Sequence, residues 1–196
     1  MSPDARGYVG ENEIYHVINR GNNRMRLFHE QADFLFFLDL MKQYKAFFPI
    51  ILYHYCLMSN HIHLLIRTIQ GDHLKKFMQG VNQSYSNYYK RTYKHIGHIW
   101  QGRYKSFRIE KDSYLLECGR YIERNPLRAK MVTCPEDWPH SSYRYYAFGE
   151  HNLLIKEHGL YQDLGETREV RQMNYRNYVL GERPYESLLD KQFQIA

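Results

Sequence analysis

Two strand-like segments joined by a very short connection constrain the fold more than any other feature of this sequence. Residues 50–57 and 61–68 are rich in aromatic and branched aliphatic side chains, which favour β-strands. Only Met58, Ser59 and Asn60 separate the two segments. Parallel strands need a crossover of about a dozen residues or more, so such a short connection joins antiparallel neighbours. The sequence therefore predicts an antiparallel sheet built around this hairpin.

Helices and two further strands surround the predicted hairpin. Apolar residues at helical spacing predict one helix over about 31–47 and another from about residue 72. A third helix is expected to end near Asn125, because the residue before a proline is disfavoured in the helical region. Further strands are predicted over 14–18 and 103–109, the second at a sheet edge. This order predicts an α+β fold: a ferredoxin-like antiparallel sheet with helices packed on one face, plus a C-terminal helical tail.

The 196-residue chain has the size of a single domain with a small appendage. The segment after about residue 150 is mildly acidic, unlike the basic segment before it. We therefore expect a domain over 1–147 and a C-terminal helical extension over 148–196.

Composition argues against a membrane or secreted protein. No segment approaches the about 20 consecutive apolar residues that span a bilayer, and the N-terminal MSPDARGYVG lacks an apolar signal core. The three cysteines lie far apart without a CxxC pair, which excludes a disulfide framework and a thiolate zinc site. We therefore expect no contact with a membrane and a cytoplasmic location.

Positive charge is concentrated in one region of the chain. The formal net charge is +6, and between Lys75 and Lys130 there are 13 lysine and arginine residues but only 4 acidic ones. Aromatic side chains such as Tyr85, Trp100 and Tyr104 interleave with these cations. Cations follow phosphates while aromatic rings stack on unpaired bases, so this mixture favours single-stranded nucleic acid as the partner. Charge alone is equally consistent with a solvated basic surface.

His61 and His63 are spaced for joint chemistry. Side chains alternate along a strand, so residues two apart project from the same face, about 6.6 Å apart at the backbone. Two imidazoles at that distance can bind one metal ion. Histidine pairs on strands are also common as hydrogen-bonded structural residues. A metal site therefore needs a further ligand.

Tyr121 and Asn125 offer a nucleophile and that further ligand. They lie four residues apart on the predicted third helix and so share a face. The Asn125 amide oxygen can complete a metal site, and the Tyr121 hydroxyl would then lie beside the ion. There a phenol can attack phosphorus, although a tyrosine in a helix is usually a packing residue. Departure of a 3′-hydroxyl would leave a 5′-phosphotyrosine linkage that conserves bond energy for a later strand transfer.

Four short segments together resemble a known family. Residues 56–66 (CLMSNHIHLLI) resemble the HUH signature of the single-tyrosine transposases, in which two histidines flank a bulky hydrophobic residue. Three further segments are similar to those that accompany this signature: NRGN at 19–22, WQGRYKS at 100–106 and YIERNPLRA at 121–129. The resemblance covers about residues 10–147. It is strongest to the REP-associated tyrosine transposases of the IS200-like family, whose Asn-Pro-x-Arg-Ala and Trp/Tyr-Pro-x-Ser-Ser-Tyr-Arg segments appear here at 125–129 and 138–144.

The resemblance implies a chemical role for each central residue. It implies a metal site at His61 and His63, with Asn125 as third ligand and Tyr121 as nucleophile. It also implies a Mg²⁺- or Mn²⁺-dependent reaction on single-stranded DNA next to a folded hairpin. Because imidazoles suit softer ions than Mg²⁺, we expect Mn²⁺ to work at least as well.

The resemblance further implies that no ATP or other nucleotide cofactor takes part. The sequence agrees, since Gly97 and Gly102 have P-loop spacing but Arg103 and Tyr104 follow where Lys-Ser/Thr is required. Related transposases often work as dimers that exchange their tyrosine helix, whereas the REP-associated type resembles a monomeric design. A monomer is slightly favoured over a homodimer.

Three functions fit these residues. The first is a strand transferase that nicks and rejoins single-stranded DNA through Tyr121. The second is a binding protein that has kept the fold and recognises nucleic-acid hairpins without cutting them. The third is a metal-dependent phosphodiesterase that uses activated water. The complete set of two histidines, tyrosine and asparagine argues against a pure binder.

Cationic side chains around the predicted site are candidate phosphate contacts. Each is equally consistent with an ordinary surface cation. The candidates are Arg20, Arg24, Arg103, Lys105, Arg108, Arg120, Arg124 and Arg128. Glu117, one turn before Tyr121, is expected either to approach the metal or to pair with Arg120.

Overall fold

Four strands form a single antiparallel sheet in the computed structural model, which describes residues 9–110, 112–181 and 183. The strands are β1 (Ile14–Arg20), β2 (Ile50–Leu57), β3 (His61–Thr68) and β4 (Lys105–Ile109). Their order across the sheet is β2-β3-β1-β4, so β1 and β3 are central and β4 is an edge strand. The predicted hairpin, the antiparallel pairing and the edge position of the last strand are confirmed.

Six helices accompany the sheet within the described ranges. They are α1 (Gln31–Phe47), α2 (Gly71–Tyr93), α3 (Asp112–Arg128), α4 (Tyr143–Phe148), α5 (Gly159–Gln162) and α6 (Arg168–Leu180). The α+β class and the helical character of the C-terminal segment are confirmed for these ranges. None of these helices is long and apolar enough to cross a membrane.

The boundary near residue 148 stays a prediction. Residues of the C-terminal segment, among them Tyr161, Tyr175 and Val179, belong to the same apolar cluster as the residues of α1 and α2. The C-terminal segment therefore shares its packing with the rest of the chain.

Helices cover both faces of the sheet, which corrects the expectation that they share one face. Ile62, Leu64 and Ile66 of β3 form a large apolar cluster with α1 and α2. The alternate side chains of β3 point to the other face, where Leu65 joins a second cluster with residues of α3 such as Ile122. Because this second face is also apolar at its centre, it has to be covered, and α3 covers it.

Helix α3 continues past the proline at which it was expected to end. Pro126 lies inside α3, which ends at Arg128. Proline has no N–H for the carbonyl four residues earlier, here that of Ile122. The side-chain amide of Asn125 donates to the Ile122 carbonyl at 3.3 Å and to the Tyr121 carbonyl at 2.8 Å. The Asn125 amide therefore donates to the carbonyl that proline leaves without its usual partner. The prediction that α3 ends near Asn125 was wrong.

A β-bulge in β2 aims His54 at α3. The register of β2 against β3 shifts between Leu52 and His54, the mark of an extra residue in one strand. Helix α3 approaches this imidazole so closely that a Cβ on Gly119 would lie 2.6 Å from His54 Nε2. A glycine at this position is therefore what lets α3 lie against β2.

Candidate active site

Strand β3 and helix α3 bring two imidazoles and a phenol together. His61 and His63 lie two residues apart on β3, with ring centroids 4.9 Å apart. Tyr121 projects from α3 onto the same face of the sheet, with its ring centroid 6.0 Å from that of His63 and its plane at 87°. The structure thus assembles the residues that the sequence singled out, and their chemical roles stay predictions.

Each of the two imidazoles is oriented through its Nδ1 atom. His61 Nδ1 lies 2.6 Å from Asn60 Oδ1, and His63 Nδ1 lies 3.0 Å from His16 Nε2. Both Nε2 atoms are buried and have no hydrogen-bond partner in the described part of the chain. Metal-binding histidines have this arrangement, in which the protein holds one ring nitrogen and the other faces the ion. The donor set therefore fits a divalent metal ion.

Burial keeps both imidazoles in the neutral form that binds metals. Desolvation lowers the pKa of His61 to about 4, with a smaller contribution from the charge of Arg20. Desolvation also holds the pKa of His63 well below its ordinary value, with smaller contributions from neighbouring charges that include Arg128. Both rings are therefore neutral at pH 7 and carry a lone pair for coordination.

Asn125 offers an oxygen ligand rather than a third imidazole. It is buried on α3, one turn after Tyr121. Because its Nδ2 donates to helix carbonyls, its Oδ1 is the atom that remains for a ligand. Over the described ranges, no group of three His, Cys, Asp or Glu side chains is arranged to hold a metal ion. Asn125 as an oxygen ligand beside the two imidazoles therefore stays a prediction.

Tyr121 lies close to the imidazoles but is covered. Its side chain is 1% exposed, and its ring centroid lies 6.0 Å from those of both His16 and His63. The guanidinium of Arg128 lies over the phenol ring, 5.1 Å from its centroid. Arginine binds phosphate oxygens in a bidentate manner. This cation therefore lies where a phosphate approaching the phenol would meet it.

His16 is a site residue that the sequence reasoning missed. It is fully buried on β1 and stacks on His63 with ring centroids 5.2 Å apart. Desolvation lowers its pKa to about 3, so it acts as a neutral hydrogen-bond partner. Strand alternation places His16 and Ile18 on one face, and Ile18 is the cross-strand neighbour of His63. That signal becomes useful only once β1 is known to pair with β3.

Three of the eight cationic candidates lie at this end of the sheet. Arg20 is the cross-strand neighbour of His61. Lys105 of β4 pairs with Ile18 across the other side of β1, and Arg128 lies over the phenol as described. These side chains put positive charge beside the imidazoles, and their contact with phosphate stays a prediction.

Three other candidates are exposed at separate places in the fold. Arg108 pairs with Glu13 at 2.8 Å, and its strand position points to the opposite face of the sheet. Arg103 precedes β4 and lines a groove beside α2. Arg24 is exposed in the short 3₁₀ turn after β1. Contacts of these three with DNA also stay predictions.

Arg120 and Arg124 are corrected from phosphate contacts to structural residues. Arg120 is 0% exposed and donates from Nε to the Tyr178 carbonyl at 3.0 Å. Arg124 is 6% exposed and donates from Nη1 to the Val179 carbonyl at 2.7 Å. Both carbonyls lie in the last turn of α6, where helical partners are lacking and cations are favourable. Guanidinium groups held in the interior cannot contact a phosphate in this conformation.

The pairing expected for Glu117 is confirmed. Its Oε2 lies 3.9 Å from Arg120 Nη1, and the Tyr178 hydroxyl donates to its Oε1. Glu117 thus belongs to the contact between α3 and α6.

Glu123 is a second residue that the sequence reasoning missed, and it joins α3 to the rest of the chain. It is fully buried. Its Oε1 accepts from Ser142 Oγ at 2.6 Å and lies 2.9 Å from His54 Nδ1, while its Oε2 accepts from the Tyr175 hydroxyl at 2.6 Å. The partners come from β2, the start of α4, and α6. Because Glu123 lies two residues after Tyr121, this network fixes the tyrosine helix over the sheet.

The chain is similar to known transposases in sequence and in fold. The family described as "Transposase IS200 like" matches residues 11–125, a span that contains both histidines, the tyrosine and the asparagine. A protein of Haemophilus influenzae, provisionally named a REP-associated tyrosine transposase, is 29% identical over 118 residues, 55% of this chain and 66% of that protein. The matched part is thus just under two thirds of that relative's length.

A solved structure extends the similarity to the fold. It is that of a REP-associated tyrosine transposase bound to a REP hairpin, and it matches with a TM-score of 0.63 at 18% identity. The match covers 81% of this chain and 93% of the other. At that identity it concerns the fold alone.

Proposed function

This chain belongs to the IS200-like transposase family, and from that premise we propose that it cleaves and rejoins single-stranded DNA next to a hairpin through a covalent bond to Tyr121. One observation carries the proposal. The phenol ring packs 6.0 Å from the ring of His63, and the Nε2 atoms of His61 and His63 are buried without a partner in the described ranges. The transposase of similar fold was solved with a REP hairpin, which suggests a DNA hairpin as substrate here too.

In the proposed reaction the phenol oxygen of Tyr121 attacks the phosphorus of a phosphodiester. An O–P bond to the tyrosine forms, the bond between phosphorus and the 3′-oxygen breaks, the phenol loses its proton and the 3′-oxygen gains one. The products are a 5′-phosphotyrosine and a free 3′-hydroxyl. Because one phosphoester replaces another, a 3′-hydroxyl of a second strand can reverse the step without ATP.

The side chains around the phenol have separate tasks in this proposal. His61, His63 and Asn125 would hold Mg²⁺ or Mn²⁺, which when bound neutralises charge on a non-bridging phosphate oxygen. His16 fixes the orientation of His63 through the contact between their ring nitrogens. Arg128 lies over the phenol and would bring its positive charge to the phosphate by moving from the ring onto the phosphate oxygens.

The burial of Tyr121 favours a second candidate function, a hairpin-binding protein that does not cleave. The phenol is 1% exposed, so cleavage requires that the substrate displace the covering side chains. Arg128 is the cation to be drawn away, because phosphate offers it stronger hydrogen bonds than an aromatic ring does. A binder needs no such displacement.

A denaturing gel distinguishes these functions. The protein is incubated with Mn²⁺ and a labelled hairpin that carries a single-stranded 5′ flank. Strand transfer requires a DNA-linked protein band, which is lost in Tyr121→Phe and kept in Tyr114→Phe, an exposed tyrosine on the same helix. Cleaved DNA without that band indicates hydrolysis by water. Intact DNA with retained binding indicates the non-cleaving binder.

A further inference from the structure

A groove lies beside α2, outside the candidate active site. Its cavity volume is about 460 Å³. One wall is the solvent-facing side of α2, from Lys75 to Lys90, and the other is the loop that leads into β4, from His98 to Tyr104. The two walls are held together by a hydrogen bond, because Trp100 Nε1 in the loop donates to the Asn82 carbonyl of α2 at 3.1 Å.

The lining of this groove has the composition of a nucleic-acid site. Lysines and an arginine lie along it, amide side chains project between them, and no acidic residue of the described ranges lines it. The cations are Lys75, Lys90 and Arg103, and the exposed amides include Gln83 and Asn87. Cations bind phosphates, amides bind the edges of bases, and an aromatic wall such as Tyr104 accepts a stacked base.

The loop that forms one wall of the groove is hydrogen-bonded to β1, the strand that pairs with the strand of His61. Gln101 N donates to the Arg20 carbonyl at 2.9 Å, and Arg20 Nε donates to Gln101 Oε1 at 2.7 Å. Arg20 is the cross-strand neighbour of His61. Adjacent strands lie about 5 Å apart, so Arg20 lies between the loop wall of the groove and His61.

We infer that this groove binds the single-stranded DNA next to the hairpin and leads it to the imidazole site. The inference rests on the proposed function, because it takes the DNA substrate from it. A single strand fits better than the hairpin stem. A helix that reads a duplex stands out and enters the major groove, whereas this face of α2 is one wall of a concavity. A stem also keeps its bases stacked and paired, out of reach of Tyr104.

Two matched double variants test the cationic wall. Lys75→Ala/Lys90→Ala removes two positive charges from the groove, and Lys76→Ala/Arg91→Ala removes the same charge from neighbouring positions that do not line it. Affinity is measured by fluorescence anisotropy for a hairpin with a short randomised single-stranded flank and for the same hairpin without the flank. EDTA is present, so binding is measured without cleavage. All four residues are exposed, and thermal melting checks that each variant is folded.

The groove variant is expected to weaken binding of the flanked hairpin about tenfold and to leave the blunt hairpin within about twofold. The slope of log affinity against log salt should fall by about 1.4 for the flanked hairpin, since each single-strand phosphate contact contributes about 0.7. The control variant should leave the affinity for the flanked hairpin within about twofold. Equal weakening of both hairpins by the groove variant would show that the groove binds the stem. Equal weakening by the groove variant and the control variant would show that the effect comes from the overall positive charge of the protein. Either result, or no effect, overturns the inference.

An uncharged variant separates base contacts from electrostatics. Gln83→Ala/Asn87→Ala should weaken binding of the flanked hairpin about fivefold without a change in salt slope. Unchanged affinity would overturn the role of the amides. The anisotropy result is independent of the covalent band on the denaturing gel. A protein that binds the flank in the groove but forms no band therefore retains this inference and loses the proposed function.

Discussion

At the scale of single residues, His16 controls how His63 faces a ligand. Its Nε2 lies 3.0 Å from His63 Nδ1, while His63 Nε2 is buried and has no hydrogen-bond partner among the described residues. Removing such an outer partner typically weakens metal binding about 10–100-fold. We therefore expect His16→Ala to lower Mn²⁺ affinity in that range, measured by electron paramagnetic resonance of free Mn²⁺. His16→Gln, which keeps a hydrogen-bonding group, should recover part of it, and equal affinities in all three proteins would argue against the metal site.

Arg124 and Arg128 lie one turn apart on α3 but are expected to differ in what they bind. Arg124→Ala leaves carbonyls of α6 without a charged donor and should lower the free energy of unfolding by about 1.5–3 kcal/mol. The salt dependence of DNA binding should not change. Arg128→Ala should instead lower the salt slope by about 0.7 with a smaller loss of stability. Urea unfolding and anisotropy titrations measure the two effects, and a changed slope in Arg124→Ala would restore it as a DNA contact.

Single residues also mark the limits of what the sequence could predict. His61, His63 and Tyr121 were recognisable because each lies in a short local pattern. His16 acts on a residue 47 positions away, and such a contact exists only once the strands pair. The burial of Arg120 is equally invisible, because a cation on a helix looks the same in the sequence whether solvent or another helix lies opposite.

At the scale of elements, the close approach of α3 to β2 depends on Gly119. A Cβ at this position would lie 2.6–2.8 Å from atoms of the fully buried His54 ring, so Gly119→Ala has to push the helix and the strand apart. Overpacking of this kind typically costs about 1–3 kcal/mol. We expect a loss of that size in urea unfolding, together with slower formation of the Tyr121 adduct. Gly159→Ala, where a Cβ meets nothing within 4 Å, is the matched control and should be neutral or slightly stabilising.

The elements themselves were largely predictable, for a physical reason. The bounds expected for β2 and β3 agree with the structure, because a short connection between apolar runs leaves few alternatives. The end of α3 was misplaced because the Asn125 side chain donates to a carbonyl that proline leaves without its usual partner. Helices on both faces were also not foreseen, since the pattern of a central strand shows that both faces are buried but not what covers each.

At the scale of the whole molecule, the tyrosine helix is fastened to the C-terminal segment of its own chain. Glu123 of α3 accepts from Tyr175, and Arg120 and Arg124 donate to the last turn of α6. Exchange of α3 between two copies would have to break each of these buried contacts and form it again with the other copy, and a buried carboxylate left uncompensated is strongly unfavourable. We therefore propose that each chain completes its own site and acts as a monomer, in line with the expectation from the sequence.

Mixing two inactive variants tests this arrangement. His63→Ala retains the phenol and Tyr121→Phe retains the imidazoles, so a dimer that exchanges α3 would rebuild one complete site in the mixture. Because the helix is fixed within one chain, we expect no DNA-linked band from the mixture on a denaturing gel. A mixture of the wild-type protein with Tyr121→Phe should still give the band, which excludes inhibition by the variant. Recovery of the band in the first mixture would show that α3 separates from the C-terminal segment of its own chain. The contacts made by Glu123 would then have to form equally well between chains.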